Sequence, residues 1–288
     1  MRRYLAARLT ALVPTLLGVS ALTFLFLRLI PGDAIAVRLG TSTVLSAQQM
    51  AELRAYLGLD RPLPLQYLGW LSALVRGDAG YSIRTGQPVF TEIAARLPVT
   101  GELAFGATVV ALAVGLPLGV GSALRPNSRL DMAARTFGLL GLSLPNFWLG
   151  TLFVLLLARY LRWMPNTGGY TGFALDPWAN IRFLLFPAIT LGVAMAAVVV
   201  VGRHALRNSL IVVVTILGVQ AGYLLSGAVV VEEIFSVPGL GRMLLTAITQ
   251  RDYALVQGAV LIVAVVFVGV NTLVDLAYGW LDPRIRYQ

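Results

Sequence analysis

The chain has 288 residues, of which 58% are hydrophobic and only 12% are charged, about half the charged share of a typical soluble domain. Its net charge is +9. The sequence contains no lysine, so apart from His204 every cationic side chain is an arginine, and it contains no cysteine. P-loop lysines, Schiff bases, disulfides and thiolate-bound metals are therefore excluded. The arginines lie between long apolar segments, which indicates a membrane protein rather than a nucleic-acid-binding one.

Six apolar segments are long enough to cross a bilayer, which takes about 20 residues of α-helix. They extend over residues 9–27, 103–124, 136–158, 183–201, 209–231 and 253–274. Each is bounded by charged residues. The sequence therefore predicts an all-α, polytopic membrane protein with six transmembrane helices.

The distribution of arginine predicts the orientation of these helices. If the N-terminus is cytoplasmic, the segments inside carry a clear excess of arginine over acidic residues, whereas the short outside loops, 159–182 and 232–252, are nearly balanced. The inside segments are then residues 1–8, 125–135, 202–208 and 275–288. The positive-inside rule and the even number of helices both place the two termini in the cytoplasm.

The only sizeable segment outside the predicted spans is residues 31–101, between the first two spans. A capping-box pattern at Ser46 predicts a helix that ends at Gly58, and a second helix is expected to continue to about Val75. Residues 88–97 have the pattern of a short amphipathic helix at the membrane interface. We expect this segment to be an external loop with helices of its own.

The six predicted spans contain no aspartate, glutamate or arginine, so no ion-coupling site is visible in them. Gln220 and Asn271 are candidates for lining a central polar pathway, but such residues also serve as hydrogen-bonding contacts between helices. The single histidine lies outside the spans, so neither an intramembrane serine protease nor a metal site is indicated. We expect no catalytic residue, no metal ligand and no cofactor, and any energy for transport would have to come from elsewhere.

A series of short motifs occurs in order along nearly the whole chain. They include YLAARLTALVPTLLG at 4–18, LIPGD at 29–33, LGLDRPLPLQ at 57–66, GDAGYS at 77–82, RLPVT at 96–100, GLSLPNFWLG at 141–150, FPAITLG at 186–192, EEIFSVPGLG at 232–241, RDYALVQG at 251–258 and LDPRIRY at 281–287. In sequence and spacing they resemble the permease subunits of dipeptide, oligopeptide and nickel ABC importers.

The resemblance implies a permease of the type-1 ABC importer class in the bacterial inner membrane, which transports and is not itself an enzyme. Its expected partners are a second permease subunit, two ABC ATPase subunits and an extracytoplasmic substrate-binding protein. The expected cargo is a di- or oligopeptide, with nickel or another small solute as the alternative. Residues 1–97 would form the first transmembrane helix and a long periplasmic loop, and residues 98–288 would contain helices 2 to 6.

The resemblance also implies an outer gate at the loop between the last two helices. Its candidate residues are Glu232, Pro238, Gly239 and Gly241, and the proline and glycines are expected to shape a tight turn. A plain turn between two helices would have the same composition.

One departure from the family affects the cytoplasmic side. Members carry a loop of several tens of residues between the fourth and fifth spans, with a short coupling helix that docks on the ATPase. Here residues 198–201, at the end of the fourth span, are followed at once by residues 202–210, which resemble the far end of that loop, so its central part is absent. Either the protein lacks this docking element, which favours a membrane scaffold without transport, or the sequence has lost it through a deletion or omission. The remaining candidates for ATPase contact are Gly202, Arg203, His204, Arg207 and Asn208, although a positive-inside anchor would explain the arginines equally well.

Overall fold

The computed structural model describes residues 2–29, 60–161, 169–201 and 227–281, together with Gln48. Eight helices account for most of these residues: α1 (Arg2–Leu29), α2 (Leu63–Val75), α3 (Val89–Leu124), α4 (Arg129–Ser143), α5 (Asn146–Leu156), α6 (Pro177–Val201), α7 (Leu240–Thr249) and α8 (Tyr253–Leu281). A π-helical turn at Leu157–Leu161 follows α5, and residues 227–234 are also helical. The described part of the chain contains no β-strand beyond a single bridge between Tyr81 and Pro88.

Four helices, α1, α3, α6 and α8, are long and apolar enough to cross a membrane. They correspond to the first, second, fourth and sixth segments expected from the sequence, and the all-α membrane fold is thus confirmed. The fifth expected segment, 209–231, falls largely outside the described residues, as does the helix expected between Ser46 and Gly58.

The third expected span, 136–158, is not one straight helix. Helices α4 and α5 are bent by 100° at a short break between them, where Leu144 is extended and Pro145 precedes α5. Proline has no N–H to donate, and it disfavours the helical conformation in the residue before it. The pair is therefore sharply broken rather than one straight span, which a count of apolar residues could not reveal.

Helix α3 also differs from the expectation. It is a single helix of 36 residues that contains both Pro98 and Pro117, so residues 88–97 do not form a separate interfacial helix. Each proline removes one backbone hydrogen bond, but the bonds on either side keep the helix continuous.

The chain forms two compact units. The first consists of Met1–Ala6, Arg96–Met243 and Val266–Gln288. Its core is built by α3, α6 and the residues before α7, and includes Leu103, Ala107, Leu191, Met195, Val231 and Phe235. A Cβ at Gly192 of α6 would lie 2.6 Å from the Cβ of Val110 in α3. Small residues thus allow close packing of membrane helices in this unit.

The second unit consists of Ala7–Ala95 and Leu244–Val265. Within it, α2 lies against α1, where the hydroxyls of Tyr67 and Ser20 are 2.7 Å apart. Gly258 of α8 packs against the start of α3, because a Cβ there would lie 2.4 Å from Val89 Cγ1.

Candidate functional site

The carboxylate of Glu232 is the centre of the best-defined polar cluster in the first unit. Glu232 is one of the helical residues 227–234, and its side chain is fully buried, with 0% exposure. Its Oε1 accepts a hydrogen bond of 2.6 Å from the hydroxyl of Thr100 in α3. Its Oε2 accepts one of 2.9 Å from the backbone N–H of Arg242. A buried carboxylate is costly unless it is bonded in this way.

These bonds cap the first turn of α7. The backbone N–H of Leu240 donates to Thr100 Oγ1 at 2.8 Å, and the N–H groups of Gly241 and Arg242 donate to Glu232. The first N–H groups of a helix have no partner within the helix, and its N-terminus favours negative charge. Thr100, from a distant part of the sequence, and Glu232, ten residues before Arg242, thus supply the missing acceptors, and Glu232 also supplies the charge.

Burial raises the pKa of Glu232 above the ordinary value of glutamate, although its hydrogen bonds to Thr100, Arg242 and Gly241 act in the opposite direction. The carboxylate therefore depends on α7 staying in place. If α7 moved away from α3, the charged group would lose most of its acceptor bonds while still buried.

The glycines of this loop are needed for close approach. A Cβ at Gly239 would lie 2.2 Å from Glu232 Oε1, and one at Gly241 would lie 2.6 Å from the Cα of Val229. The expected tight turn is present at Pro238 and Gly239, because the N–H of Gly239 donates to the carbonyl of Val237 at 2.9 Å, but Gly241 is not part of it. Pro238 and Gly239 lead into α7, and Gly241 is already within it.

Ser236 makes a separate turn, at the end of the helical residues 227–234. Its φ of 54° is left-handed, and the N–H groups of Ser236 and Val237 donate to the carbonyls of Glu233 and Glu232 at 3.2 and 2.8 Å. This pair of bonds is a Schellman ending for the preceding helix. A serine in the left-handed region could not be anticipated from composition, which pointed to the glycines.

A second carboxylate, Glu102 in α3, fixes the segment before α6. It accepts hydrogen bonds from the hydroxyl of Tyr170 at 2.8 Å, the side-chain amide of Asn180 at 2.6 Å and the N–H of Phe173 at 3.2 Å. Burial, and then the bond to Glu102, raise the pKa of Tyr170 to about 12. Glu102 and Asn180 also line a cavity of about 720 Å³ between α3 and α6, otherwise walled by apolar side chains such as Phe105 and Leu184.

In the second unit, Asp252 plays a similar role at the start of α8. The residue is 2% exposed; one oxygen accepts a hydrogen bond of 2.5 Å from Ser82, and the other accepts the N–H of Leu255 at 3.2 Å. Ser82 and Asp252 come from the motifs GDAGYS and RDYALVQG. Thr100 and Glu232 likewise join RLPVT to EEIFSVPGLG, so these motifs meet in pairs.

Two further motifs, GLSLPNFWLG and FPAITLG, pack near residues that flank Glu232 in the first unit. A Cβ at Gly150 would lie 3.2 Å from the ring of Phe235 and 3.4 Å from Thr190 Cγ2, and one at Gly227 would lie 3.3 Å from Asn146 Nδ2. Sequence reasoning did not single out Thr100, Glu102 or Asp252. Thr100 and Asp252 lie in the quoted motifs, which were the only signal for them, whereas Glu102 lies outside every motif and was visible only as a charge at the start of a span.

The other candidate residues are placed as follows. Asn271 is in α8, partly exposed, and its amide donates to the carbonyl of Phe267 at 2.9 Å, so the bond described for it is to its own helix. Gln220, the other pathway candidate, lies outside the described residues. So do the candidates for ATPase contact, Gly202, Arg203, His204, Arg207 and Asn208.

Comparison with known proteins gives matches along the whole chain. The family model for the "binding-protein-dependent transport system inner membrane component" matches residues 199–287, and the model of its N-terminal part matches residues 1–104. A di/tripeptide transport system permease of Pseudomonas aeruginosa is 38% identical, and a dipeptide transport system permease of Escherichia coli is 36% identical. A glutathione transport system permease of Pectobacterium atrosepticum is 37% identical.

Each of these alignments covers all of this chain and all of the relative. The alignment to the P. aeruginosa protein extends over 336 positions, whereas the chain has 288 residues. The relative therefore has residues inside the aligned range that this chain lacks.

The fold and the matches define a helical, multi-pass inner-membrane protein that is a transport subunit rather than an enzyme. Such a component works with partners, among them an ATPase and a substrate-binding protein. The chain belongs to the family of permease subunits of dipeptide-type ABC importers, as its motifs indicated.

Proposed function

We propose that this chain forms half of the translocation path for di- or oligopeptides in an ATP-driven importer. The full-length similarity to peptide and glutathione permeases carries this proposal. The path would be completed by a second permease subunit, fed by an extracytoplasmic binding protein and driven by two ATPase subunits. The charge distribution favours an orientation with both termini in the cytoplasm.

In that orientation, the Glu232 cluster lies at the outer end of the bundle and serves as the outer gate. The buried bonds of Glu232 hold the first turn of α7 against Thr100. Opening would separate α7 from α3 and break several bonds together, so the loop has two packed arrangements rather than a continuous range. Gly239 belongs to this gate because a side chain there would meet the carboxylate, and Gly241 because one there would meet Val229; Pro238 precedes them in the same loop.

The cytoplasmic candidates, Gly202, Arg203, His204, Arg207 and Asn208, are the proposed ATPase contact. A docking helix is how nucleotide-driven movement would bias the membrane helices. We expect the 288-residue chain, which lacks the central part of the loop, to assemble with its partners but to show no coupled ATP hydrolysis. The pathway roles of Gln220 and Asn271 remain predictions.

Reconstitution tests the proposal. The chain is co-purified with its partner subunits in proteoliposomes, beside a chimera that carries the corresponding cytoplasmic segment of the P. aeruginosa relative between Val201 and Gly202. We expect dipeptide with binding protein to stimulate ATP hydrolysis and uptake in the chimera. Stimulation by nickel chelate alone would transfer the proposal to another cargo.

A second candidate, a membrane scaffold without transport, is favoured by the alignment, which is longer than the chain. In that case the chain would co-purify with the second permease but not with the ATPases, and the chimera would remain inactive. The intact mass of the expressed protein shows directly whether the loop that would follow Val200 and Val201 is missing.

A further inference from the structure

Helix α2 has an unusual surface for a segment between two membrane spans. No charged residue occurs from Leu63 to Val75. Its outward stripe is apolar apart from Ser72, with Leu65 55%, Leu68 57% and Val75 82% exposed. In a loop surrounded by water this stripe would leave large aliphatic side chains hydrated along more than two helical turns.

The opposite face of α2 packs beside the membrane span of α1. The guanidinium Nε of Arg28 donates to Gln66 Oε1 at 2.9 Å. The ring of Phe24 packs against both Tyr67 and Trp70, with centroid distances of 5.4 and 6.0 Å.

The contact continues further along the span. Tyr67 reaches Ser20, and Leu71 and Leu74 line a cavity of about 330 Å³ together with Leu17 and Val13. All these α1 residues fall within the span from Leu12 to Leu29. Helix α2 thus lies alongside the second half of a membrane helix and does not only touch its end.

Helix α1 also exposes large apolar side chains. On α1, Leu22 is 56% and Phe26 65% exposed, as expected for side chains that face acyl chains. The backbone of α2 is satisfied at its end, because the N–H groups of Gly77 and Asp78 donate to the carbonyls of Leu74 and Ala73 at 2.9 Å each. A segment in lipid must satisfy its backbone internally.

We propose that α2 is embedded in the bilayer at the boundary between headgroups and acyl chains, with Leu65, Leu68 and Val75 in contact with the acyl chains. The occupant of this surface is lipid, in the leaflet that holds the C-terminal end of α1. Tyr67 and Trp70 have the amphipathic rings that occur at this depth. The arginines at either end of α2, Arg61 and Arg76, then reach the headgroups. This location rests on α1 being a membrane helix and does not depend on the cargo.

Spin labelling tests the proposal cleanly, because the natural chain has no cysteine. Single-cysteine variants Leu65→Cys and Leu68→Cys are labelled in the assembled complex in vesicles of phosphatidylethanolamine and phosphatidylglycerol. Leu22→Cys on α1 is the lipid-facing reference. Arg84→Cys, at an exposed position after α2, is the water-facing one.

Collision with oxygen, which concentrates in the acyl chains, is compared with collision with a water-soluble nickel chelate. We expect the oxygen-to-nickel ratio at both α2 positions to match Leu22→Cys and to be several-fold above Arg84→Cys. A ratio equal to Arg84→Cys would overturn the proposal. Protection from both reagents would also overturn it, because a protein subunit would then cover α2.

A second measurement does not depend on the labelled variants. Lipids brominated near the top of the acyl chain should quench a tryptophan component of the wild-type complex that is absent from Trp70→Phe. If the two proteins are quenched to the same extent, Trp70 is not at that depth. Peptide uptake by the chimera with the restored cytoplasmic segment is measured in parallel, so that failure of the proposed transport function is distinguished from failure of this inference.

Discussion

Two buried carboxylates in the same unit, Glu232 and Asp131, are stabilised in contrasting ways. Both accept a short hydrogen bond from a hydroxyl: Thr100 at 2.6 Å for Glu232 and Ser122 at 2.5 Å for Asp131. Asp131, however, also accepts the N–H of Asn127 at 2.9 Å and forms an ion pair of 2.8 Å with Arg135. All of its named partners lie within nine residues of it.

Glu232, in contrast, is bonded to one side chain from a distant part of the chain. Thr100 is separated from it by 132 residues, and the remaining bonds come from backbone N–H groups at the start of α7. Asp131 therefore stabilises one connection, between α3 and α4, whatever the rest of the bundle does. Glu232 stabilises a tertiary arrangement, and this is the property expected of a gate that has to open.

The largest effect is expected from Gly239→Ala. The added Cβ would lie 2.2 Å from Glu232 Oε1, so the carboxylate or the start of α7 has to move. We expect a loss of about 3 kcal/mol in the free energy of unfolding, as for an overpacked core site. Denaturant unfolding in mixed micelles, followed by tryptophan fluorescence, measures it.

Gly101→Ala is the matched control, because Gly101 lies one residue after Thr100 in α3 and a Cβ there meets no atom within 4 Å. It should be neutral or slightly stabilising. Equal losses in both variants would contradict the close packing of Gly239 on Glu232.

Asp131→Asn should cost about 2 kcal/mol, because bonds to a charged acceptor are replaced by weaker ones. Since the side chain of Arg135 is 54% exposed, part of this effect should disappear in high salt. An effect of the variant that is independent of salt would remove the contrast with Glu232.

Glu232→Gln should cost about 1.5 kcal/mol at acidic pH, because the amide nitrogen, unlike a carboxyl oxygen, cannot accept from Thr100 or from the N–H of Arg242. Its pH dependence has a defined sign. Burial raises the pKa of Glu232 in the folded protein, so the folded state holds this proton more tightly than the unfolded chain. The advantage of wild type over the variant is then fully present below about 4.5 and declines as the pH rises through the folded value.

The difference in unfolding free energy between wild type and Glu232→Gln, measured at several pH values, tests this. A difference that grows with pH would show that the α7 N–H groups and the helix dipole outweigh burial. Thr100→Val provides a second check, because its loss should not add to that of Glu232→Gln if the two side chains act as one unit.

The contrast between the two carboxylates also explains what the sequence could predict. Apolar length alone located α1, α3, α6 and α8, and the local partners of Asp131 lie close enough to be considered from sequence. The break at Pro145 was missed because the length of an apolar segment does not show whether its helix axis changes direction. Thr100 and Glu102 were missed as functional residues because their partners are brought together only by tertiary packing. The turn at the left-handed Ser236 was missed because the glycine content of the loop pointed to other positions.

The smallest effect is expected from Tyr170→Phe, which removes the hydroxyl that donates to Glu102 at 2.8 Å. A loss of about 1 kcal/mol is expected for one such bond, whereas Tyr160→Phe, on a ring that is 74% exposed, should be neutral. Because burial and Glu102 raise the pKa of Tyr170 from 10.0 to about 12, the unfolded chain loses this proton first as the pH rises. The contribution of Tyr170 to stability should therefore decline between those two values.

Ultraviolet titration at the tyrosinate band checks this directly. The difference between wild type and Tyr170→Phe should be one tyrosine that ionises at about 12. Glu102→Gln should lower that value only in part, because burial is the larger cause. If Glu102→Gln instead restored the ordinary value completely, the carboxylate rather than the packing of the segment before α6 would control Tyr170, and this region would resemble the charge-dependent site at Asp131 more than the packed one at Glu232.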